Sequence, residues 1–179
     1  MSSYCVGRAL TCALLLVFFG GCGGDSPETP YGDVDRLTAY RAAIDPLVDE
    51  INEVERSLRA MAVGSTGRAT GENLSRACLA LDVRLAAVLV QLEALVPPPR
   101  LRDTHADMQA AVQLRRRACE RIVMGWQIEQ EQSFAAAEAT YAEAEAMLAE
   151  ASLRLLAVDQ VLSDVDVALA AAGARSPTA

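Results

Sequence analysis

The chain has 179 residues, 52% apolar and only 4% aromatic, and its 16 basic residues, all arginine, face 24 acidic ones for a net charge of −8. That length and composition support one domain of ordinary size with a core of Leu, Val, Ile and Ala. An acidic chain gains nothing from counterion release on DNA or RNA, and its field does not draw it to an anionic lipid surface, so neither nucleic acid nor charge-driven membrane attachment fits.

Arg8 precedes an apolar run, Ala9–Phe19, that stops at Gly20-Gly21-Cys22. The run is shorter than the ~20 residues a bilayer core demands and fits the apolar region of a secretory signal. Phe19-Gly20-Gly21-Cys22 resembles the lipobox of bacterial lipoproteins, with Phe19 where that family usually has leucine. The resemblance covers residues 1–22. It implies that residues 1–21 are a signal peptide removed by a peptidase, and that Cys22 becomes a lipidated N-terminus, palmitate or a similar acyl group among its chains. Several acyl chains hold a protein where one does not. The alternative is an ordinary secretory signal that leaves Cys22 a free thiol. Gly23, rather than Asp, resembles the pattern of lipoproteins sent to an outer membrane, where the protein would face the periplasm. Residues 22–32, rich in Gly, Asp, Ser, Pro and Thr, read as a flexible tether with a reach of ~18 Å. Removal of residues 1–21 takes away Arg8 and no acid, leaving 15 basic against 24 acidic residues.

From Leu37 onward the apolar residues recur at alternating spacings of three and four, the mark of one helical face. The first run is Leu37, Tyr40, Ile44, Leu47, Ile51, Val54, Leu58 and Met61, closed by Gly64. Pro46 either kinks this helix or sits in the first turn of a second one with Asp45 as its cap. After the loop Gly64–Gly71, Thr70 caps a second run: Leu74, Cys78, Leu81, Leu85, Val88, Leu92 and Leu95, ended by Pro97–Pro99. The third run is Leu101, His105, Met108, Val112, Arg115, Cys119, Ile122 and Trp126. A turn within Trp126–Gln132, with Ser133 as the next cap, separates it from the fourth: Phe134, Ala137, Tyr141, Ala144, Leu148, Ala151, Leu155, Val158, Leu162, Val165 and Leu169. The rival is one unbroken helix over 100–172. No strand signal is present. The expected fold is all-α, an antiparallel up-down-up-down four-helix bundle over 33–172, with 173–179 as a tail.

Cys78 and Cys119 lie at nearly equal distances either side of Pro98, so a hairpin folded there brings them level on the apolar stripe. In an oxidising compartment this predicts a disulfide. The same counting sets Asp82 level with Arg115, and a fold-back of the third and fourth helices near residue 130 sets Arg116 level with Glu143 and Arg121 with Glu138, opposite charges that favour antiparallel neighbours. His105, the one histidine, sits on an apolar stripe and reads as a core or helix-end residue. No Glu-x-x-His pair, C-x-x-C-H or hydrolase triad is present, so no catalytic residue, metal or cofactor is assigned. Met61, Met108, Met124 and Met147 read as core filler.

The "LVPPPRLRDTHADMQAAV" stretch is similar to one in uncharacterised helical lipoproteins of bacteria, which implies location and a helical fold but no activity. Together these features point to a lipid-anchored, extracytoplasmic, non-enzymatic binding or adaptor module. A structural coiled-coil oligomer and a small-ligand or cofactor carrier are the alternatives, and the oligomeric state stays open. In the bundle the start of the first helix, the proline turn and the end of the fourth share the membrane-proximal end. An unknown protein partner is then expected at the distal end, through Ser65–Thr70 and Met124–Gln130, with Arg68, Trp126 and Gln127 as contacts. The competing surface is the exposed stripes of the first and fourth helices.

Overall fold

The computed structural model describes residues 28–63 and 71–173. Residues 1–27 with the expected signal peptide and Cys22, residues 64–70 with Gly64, Arg68 and the expected cap Thr70, and the residues after Gly173 lie outside the described residues, as do the side chains of Met61–Val63. The architecture is the expected all-α bundle: α1 (Val34–Val63), α2 (Gly71–Ala94), α3 (Arg102–Gln130) and α4 (Phe134–Gly173). The heptad residues form its core, with Leu37, Ile44, Ile51, Leu85, Leu92, Met108, Val112 and Val165 among the most deeply buried.

Each helix boundary has a local cause. Asp33 caps α1 by accepting the Arg36 amide at Oδ1, 2.9 Å away. Pro46 lies inside α1, which continues through it; one continuous helix, not a second helix capped by Asp45, is the form adopted. Asp45 pairs instead with Arg41. At the proline turn Pro98 is extended (φ −53°, ψ 146°) and a 3-10 turn, Pro99–Leu101, leads into α3. The turn after α3 falls at Glu131–Ser133, so α3 and α4 fold back on each other and the unbroken helix is excluded. This turn is a Schellman motif without glycine. The Ser133 amide bonds to Ile128 O, the Gln132 amide bonds to Glu129 O, and Gln132 takes the left-handed conformation at φ 61°.

The absence of strands was the expectation, and it is corrected by a short hairpin. Glu28–Thr29 (β1) pairs antiparallel with Gly32–Asp33 (β2) around Pro30-Tyr31. Thr29 Oγ1 donates to Gly32 O at 2.9 Å and accepts the Tyr31 amide at 3.1 Å, while Gly32 supplies φ +127°. Two residues a side are too few for a period-2 pattern to register. The hairpin packs on α1 and α4, and Arg100 donates to Pro30 O. Residues 28–32, assigned to the tether by composition, are therefore part of the folded base.

Ion pairs record the antiparallel order: Glu50–Arg84 joins α1 to α2, Asp82–Arg116 joins α2 to α3, and Asp107–Arg154 joins α3 to α4. Arg41–Asp166, at 2.8 Å, joins the start of α1 to the end of α4. The charge pairings read from spacing need correcting. Asp82 meets Arg116, not Arg115, because neighbouring residues on a helix point about 100° apart and Arg115 faces the core. Arg121 meets Glu143, not Glu138, and Arg116 does not reach Glu143. The fold-back lies two residues beyond the assumed midpoint, which slides α4 along α3.

Candidate functional site: the open seam between α1 and α4

The four helices do not pack equally. α4 lies closest to α3, which in turn packs on α2, whereas α1 and α4 approach at few points. The sequence accounts for the asymmetry. Ala137, Ala144 and Ala151, buried at heptad spacing, let the backbones of α3 and α4 come together. The α1–α4 seam is left as a groove of about 640 Å³. Val48, Ile51 and Glu55 of α1 form one wall, Leu153, Leu156 and Asp159 of α4 the other, and Met108 of α3 contributes to the floor. Leu153 and Leu156 are 69% and 67% exposed. Towards the base the groove continues between Arg41, Asp45, Asp49, Asp159 and Asp166.

Beneath the groove lies the most deeply buried charge among the described residues. Arg115 is 1% exposed; it donates to Ile51 O at 3.1 Å and to the Glu55 carboxylate, which also accepts from Arg59. A guanidinium so far from water is tolerable only when paired and hydrogen-bonded. The pair ties α3 to α1 across the core and fixes the groove wall at Glu55.

His105 is buried at the basal end and bridges two helices. Its Nε2 lies 3.0 Å from Leu92 O, in the last turn of α2, and its Nδ1 lies 2.9 Å from Tyr40 Oη. A carbonyl can only accept, so Nε2 carries the proton and Nδ1 accepts from the Tyr40 hydroxyl. His105 thus adds a second hydrogen bond to the Leu92 carbonyl, which also accepts the Leu95 amide at 3.1 Å, the core and helix-end role expected of it. Burial pushes the Tyr40 hydroxyl up to about 12.

Cys78 and Cys119 are buried together as neighbouring free thiols, so the predicted level is met. The hydrogen bond between them, and then burial, pushes Cys78 above its usual value, and the same bond pulls Cys119 down.

At the distal end, Trp126 is half-buried and Gln127 exposed. The Trp126 ring sits against Gly71, where a Cβ would come within 2.5 Å of it. A Cβ on Gly125 would come within 2.6 Å of the Tyr141 ring. Gly125 is buried inside α3 and makes room for that ring. Tyr141 donates to Glu129 at 3.0 Å, and burial, then this bond, pushes its hydroxyl up to about 12. The indole is engaged by its own bundle, which leaves the α1–α4 seam as the larger apolar surface open to another molecule.

Among the described residues no three His, Cys, Asp or Glu side chains converge as a metal would require, and no helix is long and apolar enough to cross a membrane. Compared with protein-family models, with curated proteins and with solved structures, the chain matches none of them.

Proposed function

We propose that this chain is a lipid-anchored, extracytoplasmic helical bundle that works as a non-enzymatic binding module. The observation that carries the binding role is the unclosed α1–α4 seam with Leu153 and Leu156 displayed beside it. A bundle optimised only for stability closes every seam, and exposed apolar patches mark sites of contact. The lipobox-like Gly20-Gly21-Cys22 supports the anchor. On this reading only Cys22–Pro27 separates the acyl chains from the hairpin at the base, so the base stays within ~20 Å of the membrane. A 30-residue α1 then carries the far end ~45 Å outward. In an oxidising compartment Cys78 and Cys119 would be held as a disulfide, whose ~40-residue loop adds up to ~4 kcal/mol in the chain-entropy view.

One further observation favours a second reading. Leu153, Leu156 and Val167 form an outward apolar row on α4, which would suit a structural oligomer through that helix. Size exclusion of residues 28–179 with absorbance detection separates the classes. A colourless monomer at micromolar concentration agrees with the binding module. A stable multimer indicates the oligomer, and a retained chromophore or metal indicates a carrier.

A further inference from the structure

The two halves of the seam differ in chemistry. Its outer half displays Leu153 and Leu156 over the buried Ile51 and Met108, with the Glu55–Arg59 pair at its edge. Its basal half is carboxylate-lined, with Asp45, Asp49, Asp159 and Asp166 around one cation, Arg41. Arg41 is engaged by Asp45 and Asp166. Asp49 and Asp159 have no ion-pair partner among the described residues. We infer that the seam receives a cationic amphipathic helix from another protein, with its apolar face on Leu153 and Leu156 and its Lys or Arg residues against Asp49 and Asp159. This names the partner chemistry of the binding module proposed above and rests on that function.

Three features select this occupant. Two antiparallel helices with a groove between them offer the ridges a further helix packs into. The walls run from Ala149 to Asp166 on α4, a length of ~25 Å that matches a helix of about 18 residues. The carboxylates are complementary to a cation. A second copy would set the same carboxylates against each other. Of the 115–121 arginine cluster that could relieve them, Arg115 is buried on Glu55, Arg116 is paired with Asp82 and Arg121 with Glu143, and Arg117 alone stays exposed without an ion pair among the described residues. An anionic lipid surface meets the same repulsion.

The test uses the full processed chain in phosphatidylcholine nanodiscs, with empty nanodiscs as reference. Two labelled helices of about 18 residues share one leucine face and carry lysine or glutamate on the other. The lysine helix is expected to bind at least ~10-fold more tightly than the glutamate helix. Asp49→Asn with Asp159→Asn, and separately Leu153→Ser with Leu156→Ser, should each weaken it by ~10-fold or more. Glu138→Gln with Glu145→Gln, an equal charge change on α4 away from the seam, should leave it unchanged. All these positions are exposed, and unaltered melting of the variants establishes that they fold. Equal binding of the two helices, equal loss in the Glu138/Glu145 variant, or full binding by either seam variant overturns the inference. Self-association that the Leu153/Leu156 variant abolishes also overturns it, by identifying the occupant as a second copy. Failure of the binding-module function is distinct: it gives a multimer or a bound chromophore before any helix is added, whereas failure here gives a clean monomer that ignores the lysine helix.

Discussion

Removing either partner of the Arg115–Glu55 pair should have unequal consequences. Arg115 is 1% exposed and Glu55 22% exposed. Glu55→Ala strands a guanidinium in the core with only Ile51 O as its remaining bond. Breaking a buried pair this way costs about 3–5 kcal/mol, and water entering from the groove beside Glu55 brings the expected loss to about 2–3 kcal/mol. Arg115→Met removes the charge itself and fills much of the same space. Glu55 then stays near solvent and keeps Arg59, so the expected loss is about 1 kcal/mol. The double variant should resemble Arg115→Met alone, giving a coupling of at least ~1 kcal/mol in the cycle. Urea unfolding followed by circular dichroism at 222 nm measures all four proteins without the ionic screening of guanidinium, provided the slope with denaturant stays constant. Equal losses for the two single variants, or a loss below ~0.5 kcal/mol for Glu55→Ala, would refute the placement of the buried charge.

Gln132→Gly should stabilise the bundle by about 1 kcal/mol in the same assay, because Gln132 sits at φ 61° and only glycine adopts that conformation without cost; no gain would mean that the turn is not a Schellman cap. With lysine absent, the alkaline limb of stability should report tyrosine. Tyr40, raised from 10.0 to about 12, is neutral in the fold when its unfolded form ionises. Its stabilisation is therefore complete below pH 10 and lost between pH 10 and about 12, at most ~2–3 kcal/mol. Tyr40→Phe should shrink that limb, leaving the share of Tyr141, whose hydroxyl is also raised to about 12, and an unchanged limb would contradict the burial argument. Thiol titration of unfolded, unreduced protein isolated from its own compartment should find neither Cys78 nor Cys119 reactive; two reactive thiols would refute the disulfide.

Periodicity sufficed for the bundle because a helix buries one face and that face repeats. Every stripe residue from Leu37 to Leu58 is buried, and so are Leu101 to Ile122 at the same spacing. Spacing also brought Cys78 and Cys119 together, since a proline turn gives a sharp fold-back point. It failed where the answer depends on which helix is the neighbour. Arg115 stood out on its apolar stripe, but its partner Glu55 lies on the diagonal helix, 60 positions away. The Arg121–Glu143 register slipped because the Glu131–Ser133 turn contains no glycine to mark it. The seam had a visible signal: Leu153, Leu156 and Val167 fall off the stripe of α4, and a helix with apolar residues on two faces has more to cover than one core. How far α1 and α4 stand apart depends on side-chain volume across three helices, which no single stripe records.

The location of the protein rests on Cys22. Protein extracted from the membranes of its own cell should have Cys22 as its first residue, with a mass increased by the lipid. Labelled fatty acid should enter the wild type, while Cys22→Ser accumulates as an unlabelled precursor. Equal labelling of both forms, or a mature N-terminus elsewhere with Cys22 unmodified, would contradict the anchor.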